Sequence, residues 1–116
     1  MVGLGATGVA MAQSLLQRAD VEIVGAADRN PAVIGTDLGI LAGEREIGVA
    51  IIDDPAGLPP ADLAIVATTS DLNHVADTVV PLLERSYNVM SICEELAYPW
   101  SSHPEISRRL DDTATA

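Results

Sequence analysis

With 116 residues, of which 48% are hydrophobic and 20% charged, the chain has material for one compact domain and not for two. Seventeen acidic residues stand against six arginines and no lysine. The resulting net charge of −11 excludes nucleic acid and anionic membranes as partners, since both need a basic face to displace counterions. The single cysteine, Cys93, excludes an internal disulfide and fits a reducing compartment.

The acidic, lysine-free composition fits either solubility in concentrated salt or a GC-rich genome that replaces Lys with Arg. No run reaches the roughly 18 apolar residues that cross a bilayer, and no basic segment precedes an apolar one at the start, so the expected location is cytoplasmic. Phe is absent and only Tyr87, Tyr98 and Trp100 are aromatic. The core must therefore be built from Val, Ile, Leu, Ala and Met.

Short apolar runs alternate with longer amphipathic ones, each switch marked by Gly, Pro, Asp or Asn, which is the rhythm of βαβ units. Residues 2–4 read as the end of a first strand cut nearly to nothing. A helix follows over Thr7 to Arg18, with Val9, Ala12, Leu15 and Leu16 on one face. Val21 to Ala27, interrupted only by Glu22, has the pattern of a strand covered on both faces. Arg29 to Gly48 is a loop with a helical turn near Leu38 to Leu41, and Val49 to Ile52 is a third strand. The prolines of 53–61 forbid a long helix there. Leu63 to Ala67 is a fourth strand, residues 71–86 a helix that Pro81 should kink or split, and Asn88 to Cys93 a fifth strand. Pro104 opens a last helix ending near Asp112, and 113–116 is expected to be a disordered tail. Five strands with helical connections give a doubly wound parallel α/β sheet of Rossmann type over 1–112, with its first strand truncated.

Gly3, Gly5 and Gly8 form G-x-G-x-x-G where a strand hands over to a helix. The first glycine permits the tight turn, the second lets a pyrophosphate approach the backbone, and the third lets helix and strand pack closely; the helix N-terminus offers free N–H groups to the anion. Asp28 ends the second strand twenty positions after Gly8, where a carboxylate can accept from ribose hydroxyls. A tight turn followed by an ordinary surface aspartate is the alternative. Asp28 favours NAD by repelling a 2′-phosphate, whereas Arg29 suits that phosphate or stacks on adenine, so NAD and NADP both stay open.

Thr68, Thr69 and Ser70 leave the fourth strand at the edge where open sheets bind ligands. They suit the nicotinamide side or a helix cap equally well. Glu94 and Glu95 leave the fifth strand on the same edge; they suit a substrate ammonium or proton transfer, or are simply an exposed acidic pair. His74 and His103 lack partners at metal spacing and read as structural, and no metal site is expected. Trp100 reads as a packing anchor, with lining of a substrate pocket as the alternative.

The glycine motif, Asp28-Arg29 and Ile34 to Gly43 resemble the N-terminal cofactor domain of the dihydrodipicolinate reductase family. Ala67-Thr68-Thr69-Ser70 and Ile92 to Trp100 are similar to its 2,4-diaminopentanoate dehydrogenase branch. The resemblance implies NAD(P)-dependent oxidoreduction at a carbon bearing an amine. Carried over by position, Gly3, Gly5, Thr7 and Gly8 hold the pyrophosphate, Asp28 and Arg29 the adenosine ribose, Thr69 and Ser70 the nicotinamide side, while Glu94 and Glu95 border an amino acid-like substrate. The family's C-terminal substrate domain, with most of its homo-oligomer contacts, has no counterpart in these residues. The expected outcome is dinucleotide binding without appreciable turnover. A non-catalytic module that senses NAD(P) or regulates a partner is the alternative, and exposed sheet edges that prevent stable folding are a third possibility.

Overall fold

A computed structural model describes all 116 residues, Met1–Ala116. In chain order its elements are α1 (Ala6–Leu16), β1 (Ala26–Ala27), α2 (Leu38–Leu41), β2 (Ile51–Ile52), β3 (Leu63–Val66), α3 (Leu72–Glu84), β4 (Asn88–Ser91) and α4 (Pro104–Thr115). Single 3-10 turns lie at Pro55–Gly57 and Glu94–Leu96.

The strands pair in parallel, β1 with β2 (Ala26 opposite Ile51) and β3 with β4 (Leu63 opposite Asn88). Val2 joins the two pairs, bridging Ala27 on one side and Val66 on the other. Around it, Gly3 N donates to Ala27 O (2.9 Å), Ala27 N to Met1 O (2.9 Å), Val2 N to Ile65 O (2.8 Å) and Ala67 N to Val2 O (2.7 Å). The sheet therefore runs β2-β1-Val2-β3-β4. The chain starts in the middle, builds outward to one edge, then crosses back to build the other, which is the doubly wound order with its switch point beside Val2.

Alternation along the strands divides the core between the two faces. Ala26 and Ile51 join Leu4, Ala12 and Leu38 on the face covered by α1 and α2. Ala27, Ala64 and Val66 join Leu72, Val75, Val79 and Leu82 on the face covered by α3, against which Ile106 and Leu110 of α4 also pack. Leu63, Met90 and Ile92 lie on the first face but beyond the reach of its helices, and are 44%, 54% and 40% exposed.

Several elements are shorter than the apolar pattern suggests. Residues 21–25 belong to no ladder, and Gly25 O accepts the Met1 ammonium at 3.0 Å. The first strand is Val2 alone, and Gly3 at φ +91° turns the chain directly after it. Val49 is drawn from the third strand by Asp37, whose carboxylate accepts from Gly39, Ile40, Ile47 and Val49 N. Desolvation pushes the Asp37 pKa up, but these four amides outweigh it and hold the carboxyl below its ordinary value. The helix α3 runs on through Pro81 and is not split there; in the last turn the missing donor deprives only one carbonyl of its partner. The residues expected to form a disordered tail instead continue α4 to Thr115, with Thr113 and Thr115 hydroxyls donating to Arg109 O (2.6 Å) and Asp111 O (2.8 Å). Trp100, 45% exposed, is only partly packed, and Tyr98 is 73% exposed.

Burial holds the Met1 ammonium below its usual pKa of 8.0. The unfolded chain therefore binds this proton more tightly than the folded one. Stability should rise with pH through the window between the lowered value and 8, and fall again on acidification through it. Urea midpoints at about pH 6 and about pH 8.5 should show this slope in the free chain, and N-terminal acetylation should remove that share of it.

Candidate dinucleotide site

The carboxyl ends of Val2, β1, β2 and β3 surround a cavity of about 340 Å³ at the switch point. Its floor is the glycine turn, in which backbone contacts demand glycine at two positions and leave open space at the third. Gly3 sits at φ +91°, and a Cβ there would overlap the Ala67 carbonyl. At Gly8 a Cβ would overlap the Gly3 carbonyl, so helix and turn touch backbone to backbone. At Gly5 a Cβ would meet nothing within 4 Å, so the space in front of it is open.

Gly5 is also the N-cap of α1, with no side chain closing the helix end. The first intrahelical bond is Val9 N to Gly5 O at 2.9 Å. The N–H groups of Ala6, Thr7 and Gly8 thus precede the helical ladder, at the positive end of an 11-residue helix dipole. This fits an anion bound by backbone donors.

Asp28 reaches across from the end of β1. One carboxylate oxygen accepts from Leu4 N at 2.6 Å and the other from Asn30 N at 2.7 Å. These bonds fix the glycine turn to β1 and leave each oxygen a further lone pair for a hydroxyl donor. Arg29 lines the cavity without a carboxylate partner.

Thr68 and Thr69 line the opposite wall. The cap of α3 is neither Thr69 nor Ser70 but Asp71, which accepts from Asn73 N at 3.0 Å. Thr69 Oγ1 accepts from Asp71 N at 3.2 Å and tightens the turn. Asp71 also bonds His74 Nδ1 at 2.7 Å. That bond, then the Asn73 amide, holds the Asp71 carboxyl below its usual pKa. Ser70 contributes its carbonyl to the buried Cys93 thiol (3.2 Å) and does not line the cavity.

Of the residues singled out in the sequence, the cavity wall brings together Gly3, Gly5, Asp28, Arg29, Thr68 and Thr69. Thr7 and Gly8 stand behind it in the first turn of α1. Glu94 and Glu95 lie in the 3-10 turn after β4, outside the wall. Glu95 instead accepts from Leu72 N at 2.8 Å and lies 3.6 Å from His103 Nε2, tying that turn to the start of α3. The wall adds Asp53, His74, Asp77 and Thr78. Three of these share the polar face of α3 at i, i+3 and i+4, opposite the apolar stripe Val75, Val79, Leu82; that stripe was the signal in the sequence.

No family profile matches the chain. In sequence it is similar to the 2,4-diaminopentanoate dehydrogenase of Acetoanaerobium sticklandii, 34% identical over 119 aligned positions that cover 98% of this chain and 33% of that protein. In structure it is similar to the amine dehydrogenase of Mycobacterium smegmatis, with a TM-score of 0.89 and 38% identity over 97% of this chain and 35% of that one. The chain thus spans about a third of the length of the relatives it matches. No helix is long and apolar enough to cross a membrane. Along nearly its whole length the chain is similar to part of a 2,4-diaminopentanoate dehydrogenase and of an amine dehydrogenase, and its fold is the Rossmann-type α/β fold that the motif segments imply.

Proposed function

We propose that the chain is the cofactor-binding part of an NAD(P)-dependent oxidoreductase acting at a carbon that bears an amine. The observation that carries this reading is the open cradle at Gly5, set between the free amides of α1 and the Asp28 carboxylate. In this assignment the N–H groups of Ala6, Thr7 and Gly8 hold the diphosphate. Asp28 accepts from the adenosine ribose, and Arg29, His74, Asp77 and Thr78 surround the adenine end. Thr68 and Thr69 lie toward the nicotinamide, which when bound supplies the hydride acceptor. The similarity to the two dehydrogenases supports the substrate class, an amino acid-like amine.

The chain's own contribution stops at holding the cofactor. Hydride transfer needs both reactants in near contact and shielded from water, and the cavity wall supplies groups for the dinucleotide alone. We assign substrate selection and homo-oligomer contacts to a further domain of the kind the longer relatives have room for. The uncovered face of Leu63, Met90 and Ile92 is apolar surface suited to packing against it.

Arg29 is the only cation on a wall that also carries Asp28, Asp53 and Asp77. A 2′-phosphate would meet three carboxylates, so NADH should bind about tenfold more tightly than NADPH. Calorimetric titration with both nucleotides tests this, alongside a steady-state assay of NAD(P) reduction with a diamino acid. The expected result is heat of binding with negligible turnover. Turnover at an ordinary enzyme rate would overturn the assignment of the chain as a cofactor-holding part only.

A further inference from the structure

The wall of the dinucleotide cavity includes Asp53 and Pro55, from the segment that joins β2 to β3. Prolines at 55, 59 and 60 take three backbone donors out of this segment, so it cannot ladder onto a neighbouring strand. Within residues 53–61 the Asp54 carboxylate accepts from Ala56 N at 2.9 Å, Gly57 N donates to Asp54 O and Leu58 N to Pro55 O. These bonds close the 3-10 turn on itself but do not fix its place.

That place is set from the far end of α3. Arg85 Nη1 donates to Pro55 O at 3.1 Å and Nη2 to Leu58 O at 2.5 Å. The guanidinium lies 5.3 Å from the centre of the buried Tyr87 ring, whose hydroxyl donates to Pro59 O. All hydrogen bonds between residues 53–61 and the rest of the chain come from these two side chains. Arg85 forms no ion pair, although the chain carries 17 acids. Its planar fork bonds two carbonyls three residues apart at once, a geometry that the point charge of a lysine does not hold. Arg85 itself does not line the cavity. It stands about 10 Å along the helix from Thr78, which does.

What this clamp holds in place is a charge. Ala27 lies opposite Ile52 in the parallel ladder, and Asp28 N donates to Ile52 O at 3.0 Å. One step further the same register sets Asp53 beside Asp28, with their α-carbons about 5 Å apart. Pro55, whose carbonyl Arg85 grips, is two positions on. Both acids line the cavity. We propose, resting on the assignment of Asp28 to the adenosine ribose, that Asp53 is the residue that discriminates against a 2′-phosphate. Arg85, through Pro55 and together with Tyr87, is the positioning residue that keeps it there.

Titration calorimetry of the unaltered chain and its variants gives the ratio of NADPH to NADH dissociation constants, which should be about ten in the unaltered chain. Asp53→Asn should lower that ratio at least about threefold. Arg85→Lys keeps the charge and should lower it as much, and the double variant should lower it no further than Asp53→Asn alone. A merely structural Arg85 would weaken both nucleotides equally, or lower only Tm, and leave the ratio where it was. That result in a folded Arg85→Lys chain, or additive effects in the double variant, would overturn the proposal. Tyr87→Phe, which removes the hydroxyl from Pro59 O, carries the same expectation should Arg85→Lys fail to fold. Equal affinity of the unaltered chain for the two nucleotides would overturn this inference alone, whereas no heat from either would remove the cofactor reading with it.

Discussion

Gly8→Ala should cost the fold about 3–5 kcal/mol, a large share of what a domain of this size has. The added methyl has no direction in which to relax. It would overlap the carbonyl of Gly3, and Gly3 is itself held at φ +91° against the Ala67 backbone. A displacement large enough to relieve that contact breaks the bridge that joins the two halves of the sheet, because Gly3 N donates to Ala27 O and Ala67 N to Val2 O. Gly5→Ala is the control. Its methyl enters open space, so urea unfolding followed by circular dichroism should show little change, whereas NADH affinity should fall at least about tenfold as the methyl occupies the diphosphate cradle. Equal stability of the two variants would contradict the geometry given to the turn.

Asp28→Ala should lower NADH affinity by at least about tenfold, and for two reasons that can be separated. The ribose loses its acceptor, and the amides of Leu4 and Asn30 lose theirs, which loosens the turn that shapes the cradle. Asp28→Asn restores one acceptor but turns an NH2 group toward one of two donating amides, so it should recover only part of the loss. Titration calorimetry gives the affinities, and thermal melting without nucleotide shows how much of the effect is the turn. Arg29→Ala should weaken NADPH more than NADH.

Elements whose cause is local were legible in the sequence. The G-x-G-x-x-G spacing placed the turn, the start of α1 and the acid at the end of the next strand; within it Gly8 answers to the Gly3 carbonyl five residues away, whereas the contact of Gly3 with Ala67 is set by the fold. The apolar stripe of α3 was equally plain. Less legible were features set by distant partners. The run from Val21 reads as seven residues of strand, yet pairing is limited to Ala26 and Ala27 because a ladder needs something opposite. Val49 has strand composition, but the Asp37 carboxylate claims its amide across twelve positions. Asp71 was passed over as the cap of α3 in favour of the hydroxyls just before it, since all three residue types cap helices and only the backbone turn decides among them.

On the candidate site, the glycines, Asp28 and Arg29 came from a motif. Asp53, His74, Asp77 and Thr78 come from the topology, which folds the loop after β2 and the polar face of α3 over the same opening. His74 reads as structural in the sequence because no partner stands at metal spacing from it; the structure adds a bond to Asp71. That bond instead holds the ring at the rim of the cavity.

The central claim is that the cavity at the switch point holds a dinucleotide, and nitrogen-edited NMR of the folded chain titrated with NADH tests it most directly. The account predicts saturable shifts at the amides of Gly3, Gly5, Ala6, Thr7, Gly8, Asp28 and Thr68, and little change across 21–25 and 58–65. A well-dispersed spectrum that NADH leaves unchanged, or one that moves only at the opposite edge of the sheet, would contradict it.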